Sequence, residues 1–70
     1  MPRQPVDSTA LEFVDYDARS EELDIGLTTG RTYRYFDVPP DVYEALMAAD
    51  SKGRFYNDHI RDVYVCERLR

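Results

Sequence analysis

The sequence lacks the features that hold secreted or membrane proteins together. It contains one cysteine, Cys66, and no tryptophan. A single cysteine excludes an internal disulfide framework and fits a reducing compartment, so we expect the protein in the cytoplasm. No apolar run approaches the roughly 18 residues that a membrane span needs. No basic start followed by an apolar stretch marks an export signal. We therefore expect no contact with a membrane.

Patterns for catalysis and metal binding are also scarce. His59 is the single histidine, and the two aspartates near it in sequence do not complete the three or four ligands of a metal site. Cys66 and His59 have no third group to orient them as a nucleophile and base. Gly53 stands alone, without the other glycines of a phosphate-binding loop. The sequence predicts no enzyme, no metal and no cofactor.

The length and the charge distribution allow one small domain with one basic segment. Seventy residues, 43% of them hydrophobic, predict a single domain over residues 1–70, with residues 1–8 as a lead-in loop. The net charge is −5. Residues 1–50 carry four arginines against eleven acids (4 − 11 = −7), and residues 51–70 carry five cations against three acids (5 − 3 = +2). The last twenty residues are therefore the segment where a polyanion would bind most easily, and solvated surface charge is the alternative interpretation of this asymmetry.

Three segments show the alternation of β-strands. In the second, Leu23, Ile25 and Leu27 alternate with polar residues and glycine, which predicts one core face and one solvent face. In the first, alternation leaves open which face is buried. Short polar stretches and Gly30 separate the segments and predict hairpin turns, so the strands form an antiparallel meander. The predicted strands are 11–17, 22–28 and 31–38.

Two helices are predicted after the meander. The prolines at 39 and 40 end strand pairing, and Pro40 suits the first turn of a helix. Ser51 is a good N-cap for a second, shorter helix. Residues 63–70 alternate enough to permit a short edge strand. The predicted fold is α+β: a three-stranded antiparallel meander, two helices packed on one face, and a short C-terminal strand. The stripe predicted to be buried on the first helix is Val42, Ala45, Leu46 and Ala49.

Several motifs resemble those of a known family. A Tyr-x-Tyr strand is followed by Val-Pro-Pro at 38–40, and a Ser-x-Gly-x-aromatic-aromatic-Asn-x-x-Ile run covers residues 51–60. Together with Val-x-Ser at 6–8, they resemble the KTSC domain, a short bacterial module also found at the C-terminus of some lysyl-tRNA synthetases. The resemblance implies a fold family without an established activity. It also implies RNA as a suggested ligand and no catalytic residue.

Aromatic and basic residues predict where RNA would bind. Tyr33 and Tyr35 lie two apart on one strand, with Arg31 on the same face, as on sheets that stack bases. Tyr56 is a third candidate for stacking. Core packing is the alternative interpretation for the strand tyrosines, because one sheet face must be covered by the helices.

The start of the second helix is the predicted phosphate site. Lys52 and Arg54 lie where free backbone N–H groups and the positive end of the helix dipole coincide. Arg61 follows Arg54 by two helical turns and is placed on the same side. Gly53 is predicted either to adopt a positive φ or to let another backbone approach closely. A solvated helix cap is the alternative interpretation.

The sequence thus favours a small noncatalytic binding module, with RNA or another polyanion as its ligand. A protein-interaction module remains open as the second class. It would use the acidic residues of positions 1–50 or an exposed sheet edge to bind a protein partner. The oligomeric state is not predicted.

Overall fold

The protein folds as one antiparallel sheet with two helices on one face. The computed structural model describes the backbone of residues 4–5 and all of residues 10–70. The sheet has five strands in sequence order, and every neighbouring pair is antiparallel. No helix among these residues has the length and apolar character to cross a bilayer. The elements are β1 Gln4–Pro5, β2 Leu11–Asp17, β3 Glu22–Leu27, β4 Thr32–Tyr35, α1 Pro40–Ala48, α2 Lys52–His59 and β5 Cys66–Arg68.

The predicted α+β fold is confirmed, including the short C-terminal strand. The prediction of a loop over residues 1–8 is wrong for Gln4 and Pro5, which pair with Val14 and Phe13 of β2. Pro5 is compatible with this position because an edge strand tolerates a missing N–H. Residues 1–3 and 6–8 of the predicted lead-in loop lie outside the described residues.

An irregularity in β2 decides which of its side chains are buried. The register with β3 shifts between Leu11 and Phe13. Because of this shift, Leu11 is buried together with Val14 and Tyr16. Phe13 lies opposite Gly26 in the ladder, and a Cβ added at Gly26 would stand 2.0 Å from Cε2 of Phe13. The glycine therefore provides the space that the phenylalanine ring occupies.

The strand β4 is shorter than the predicted 31–38. Asp37 adopts a left-handed conformation with φ of 59° and turns the chain out of the sheet. The amide of Val38 then donates to the carbonyl of Glu21, which ties this turn to the hairpin before β3. Strand pairing therefore ends before the two prolines.

The buried face of α1 differs from the predicted stripe. Leu46 is fully buried as predicted, but Ala45 is exposed and Tyr43 is buried in its place. The Tyr43 ring stacks on the Tyr16 ring at 4.6 Å, and the Tyr16 hydroxyl donates to the carbonyl of Val38 at 2.6 Å. This large ring occupies the space between helix and sheet, so the smaller Ala45 faces solvent.

The helix α2 begins at the predicted cap. The Ser51 hydroxyl accepts a hydrogen bond from the Arg54 backbone N–H at 3.2 Å, as an N-cap should. Tyr56 and Ile60 are buried against the sheet. Gly53 lies within α2 and does not have a positive φ, so that part of its prediction is wrong. Helical backbone angles need no glycine, and the predicted close approach stays a prediction.

Candidate functional site

A cleft lies between α2 and one end of the sheet, the end at which a turn connects β3 to β4. Its volume is about 830 Å³, within the range of small-ligand sites. One wall comes from Arg31 and strand β4. The other comes from α2 and from Arg61, which lies two residues beyond the end of that helix. The cleft lining includes Arg31, Tyr33, Tyr35, Gly53, Tyr56, Asn57, Arg61 and Cys66.

Tyr35 and Tyr56 form the floor of the cleft and belong to the core. Their side chains are 2% and 6% exposed. The two hydroxyls share a hydrogen bond of 2.5 Å, and the rings meet edge to face with centroids 5.8 Å apart. The predicted stacking role does not fit these two tyrosines, because neighbouring side chains already cover their ring faces. The core interpretation applies to both.

Tyr33 differs from the other two tyrosines in its exposure. It is half-buried, and its ring lies 6.5 Å from the Tyr35 ring at a tilt of 49°. It packs on the edge of the core and also lines the cleft. Tyr33 is thus the predicted stacking residue whose exposure leaves room for a ligand.

Two arginines line the cleft from opposite walls. Arg61 was predicted as a site residue, and its Nη1 donates to Asn57 Oδ1 at 3.2 Å. Arg31 precedes β4 and was not in the predicted site. Its position on the tyrosine face could have identified it, but the strongest sequence signal lay at the start of the second helix. Arg31 and Arg61 therefore bring two positive charges to the cleft that Tyr33 also lines, against the one carboxylate of Asp62.

Lys52 and Arg54 are not in the lining of this cleft. Lys52 Nζ donates to the carbonyl of Ala49 at 3.4 Å, across the start of α2. The side chain of Arg54 is exposed, and its backbone N–H is already bonded to Ser51. The structure therefore separates the predicted phosphate-binding residues, since Arg61 lies in the cleft and the other two lie outside it.

The opposite face of the sheet is acidic. Asp15, Asp17, Glu22 and Asp24 surround the single guanidinium of Arg34. Nε and Nη2 of Arg34 donate to the two oxygens of Asp24 at 2.8 and 3.0 Å, a bidentate pair. The hydrogen bond to Asp24 and its negative charge raise the pKa of Arg34. One arginine does not balance four carboxylates, so this face repels polyanions.

The buried tyrosine pair predicts how stability depends on pH. Burial raises the pKa of Tyr35 and of Tyr56, and the hydrogen bond to Tyr56 raises that of Tyr35 further. In the unfolded chain, the two tyrosine hydroxyls lose their protons near pH 10.0, the ordinary pKa of tyrosine. The folded protein retains these protons at that pH. The free energy of unfolding should therefore hold below pH 10.0 and fall as the pH rises above it.

Urea unfolding at neutral and alkaline pH measures this dependence. Tyr35→Phe should make the free energy of unfolding fall less steeply at alkaline pH, because phenylalanine has no hydroxyl proton for the unfolded chain to release. Equal free energies of unfolding on both sides of pH 10.0 in the native protein would contradict the burial of the pair.

Comparison with known proteins assigns this arrangement to a family. The family model for the KTSC domain matches residues 7–64. The chain belongs to the KTSC domain family. Its structure is similar to the crystal structure of a KTSC domain protein from Yersinia pestis, with a TM-score of 0.92, 34% identity, and coverage of 99% of this chain and 97% of that one. The resemblance seen in the sequence is confirmed.

Three further relatives differ in the share of their own length that this chain covers. A protein of Tsukamurella paurometabola is 45% identical over 83% of this chain and 87% of its own length. An uncharacterized protein of Stutzerimonas stutzeri is 40% identical over 81% of this chain and 80% of its own. A lysine–tRNA ligase of Nostoc punctiforme is 36% identical over 94% of this chain but only 12% of its own length. A segment similar to this chain thus makes up most of two proteins and a small part of a third, the lysine–tRNA ligase.

Proposed function

We propose that this KTSC domain is a noncatalytic module that binds single-stranded RNA or a related polyanion in the cleft. The observation that carries the proposal is the position of Tyr33 in one cleft with Arg31 and Arg61. An aromatic ring that stacks on a base and cations that bind phosphates are the two parts of a single-strand site.

The form of the cleft favours a single strand over a duplex. A volume of about 830 Å³ accommodates a few unstacked nucleotides. Bases in a single strand are free to stack on a side chain, whereas those of a duplex are covered by their neighbours. Tyr33 provides the ring, and its half-burial limits the entropy that the side chain loses on binding.

Arg61 is partly oriented before a ligand arrives. Its bond to Asn57 uses one of the five N–H donors of a guanidinium and leaves the others for a phosphate. Asn57 and Arg61 are four residues apart, at the end of α2 and just beyond it, so the helix brings them together. Such orientation lowers the entropic cost of binding.

The charge distribution directs a polyanion to the cleft. The net charge of −5 opposes nonspecific binding to RNA. Repulsion is strongest at the acidic sheet face around Arg34, which lies on the opposite side of the sheet from the helices. A strand of RNA should therefore approach from the side of α2.

One relative supports RNA over other polyanions. The lysine–tRNA ligase of Nostoc punctiforme contains a segment that is 36% identical to this chain, and its name states that it acts on a tRNA. An RNA ligand would suit the same module as a separate protein. We place this protein in the cytoplasm, where RNA is present and where an exposed free thiol such as that of Cys66 stays reduced.

Fluorescence anisotropy with a short labelled single-stranded RNA tests the proposal. The native protein should bind at low salt. With two phosphate contacts, the logarithm of the association constant should fall against that of salt with a slope of roughly −1.4. The same strand in duplex form serves as the comparison and should bind more weakly. Failure to bind the single strand at low salt would refute the proposal.

A protein-interaction module is the second candidate function. The acidic sheet face is the observation that favours it, because Asp15, Asp17, Glu22 and Asp24 would attract a basic partner. A lysine-rich peptide is a suitable probe. If that peptide binds in a salt-dependent manner and RNA does not, this candidate replaces the first.

A further inference from the structure

The outer edge of β5 combines two features that the cleft does not use. In the sheet order, β5 pairs with β4 on one side and has no strand on the other among the residues that the structure describes. Within the described part of the chain, the exposed large hydrophobic side chains all fall within residues 63–69, and two of the three flank β5 directly. They are Val63, Val65 and Leu69, with exposures of 61%, 76% and 43%. Unpaired strand edges beside apolar side chains are sites where further strands add to a sheet.

The hydrogen bonds of β4 determine which residues of β5 bond inwards. The Phe36 amide donates to the carbonyl of Val65 at 2.9 Å, and the Leu69 amide donates to the carbonyl of Thr32 at 2.8 Å. Hydrogen-bonding direction alternates along an antiparallel strand. Val65, Glu67 and Leu69 therefore bond towards β4.

The alternation leaves two residues of β5 with outward backbone groups. The N–H and C=O of Cys66 and of Arg68 point away from β4 and toward the open edge. The side chains of Val65, Glu67 and Leu69 share the acidic sheet face, because Glu67 pairs with Arg34 in the ladder. An added strand would form backbone hydrogen bonds with Cys66 and Arg68. On the acidic sheet face, it would contact the side chains of Val65, Glu67 and Leu69.

We infer that two copies of this chain associate by antiparallel pairing of their β5 edges. The two-fold axis passes through Glu67, and Cys66 of each copy bonds with Arg68 of the other. The two sheets then continue into one. This is an isologous contact, since the same edge is used by both copies.

Side-chain matching selects this register. With Glu67 on the axis, Val65 lies opposite Leu69 of the second copy, and the contact occurs twice by symmetry. A shift by two residues in one direction places Val65 opposite Glu67, and a shift in the other places Leu69 opposite Glu67. Both alternatives replace an apolar pair by an apolar–acidic one. Because this register matches each exposed apolar side chain flanking β5 with an apolar side chain of an identical edge, it favours a second copy as the occupant.

Electrostatics at the axis weaken the pairing. The two Glu67 carboxylates approach each other, but each lies beside an arginine, since Arg34 is its ladder partner within the same copy. Each guanidinium is already paired with Asp24, so it offsets only part of the repulsion between the two Glu67 carboxylates. The interface is short, so the dimer should be weak and should depend on protein concentration.

Sedimentation equilibrium over a range of concentrations tests the association. The native protein should pass from monomer to dimer as its concentration rises towards millimolar. Val65→Lys should keep the protein monomeric with an unchanged melting temperature, because it places a charged side chain opposite the apolar Leu69 of the second copy, at a position that is exposed in the monomer. Val63→Lys is the matched control, since Val63 lies before β5 and outside this pairing; it should dimerise like the native protein. A native protein that stays monomeric at millimolar concentration would overturn the inference.

Disulfide trapping tests the register separately. In a Cys66→Ser background, Glu67→Cys places two thiols on the axis, where the Cα atoms of a non-hydrogen-bonded pair are about 4.5 Å apart and a disulfide can form. Val65→Cys in the same background separates the thiols by several residues and should not cross-link. The Glu67→Cys variant should become a covalent dimer under mild oxidation. Equal cross-linking of both variants, or of neither, would overturn the proposed register.

Discussion

Replacing Leu46 by alanine should lower the free energy of unfolding by about 2–5 kcal/mol. Leu46 is 0% exposed and lies on the buried face of α1, in the core that the sheet and both helices share. Removing its branched end takes away dispersion contacts and leaves a cavity that neighbouring side chains fill only in part. A domain of this size has a total stability of only several kcal/mol, so the variant should be close to unfolding.

Leu69→Ala is the matched control for this variant. It is the same chemical change at a side chain that is 43% exposed, and it should cost less than about 1 kcal/mol. Urea melts of the three proteins at low protein concentration provide the comparison. If Leu46→Ala cost no more than Leu69→Ala, the packing of α1 against the sheet would be wrong.

Reversing the charges of Arg31 and Arg61 together should abolish binding to single-stranded RNA. Both side chains line the cleft, so Arg31→Glu with Arg61→Glu replaces attraction of phosphates by repulsion within it. Both residues are exposed, and exposed charges contribute little to folding. The melting temperature should therefore stay near that of the native protein while the anisotropy signal is lost.

Lys52→Glu with Arg54→Glu is the matched control for charge. Each double variant replaces two cations by two acids, so each changes the net charge from −5 to −9 (−5 − 4 = −9). A site in the cleft predicts that this control weakens binding through long-range repulsion alone and retains a measurable affinity. A phosphate site at the start of α2, as the sequence suggested, predicts instead that Lys52→Glu with Arg54→Glu lowers the RNA affinity more than Arg31→Glu with Arg61→Glu.

Local chemistry explains which parts of the fold could be predicted from the sequence. The alternation of Leu23 and Ile25 marked β3, Pro40 marked the start of α1, and the Ser51 hydroxyl marked the cap of α2. Each signal acts within a few residues, so it needs no knowledge of the rest of the chain. All three were confirmed.

The features that the sequence did not show depend on distant partners. Whether Tyr43 or Ala45 is buried depends on the Tyr16 ring, which lies in another element. The irregularity after Leu11 becomes visible only once β2 has paired with β3. The cleft requires the position of α2 over the end of β4, and no pattern within either element gives that position. Arg31 was thus recognised as part of the tyrosine face but not as a neighbour of α2.

A titration of isotopically labelled protein with short single-stranded RNA at low salt, followed by amide chemical shifts, tests the proposed cleft most directly. Binding in the cleft predicts that the shifts concentrate at Tyr33, Asn57 and Arg61, which line it from both β4 and the end of α2. Amides of the acidic face, such as that of Glu22, should move little. Shifts confined to the start of α2 or to the acidic face, or no shifts at all, would contradict the cleft as the site of RNA binding.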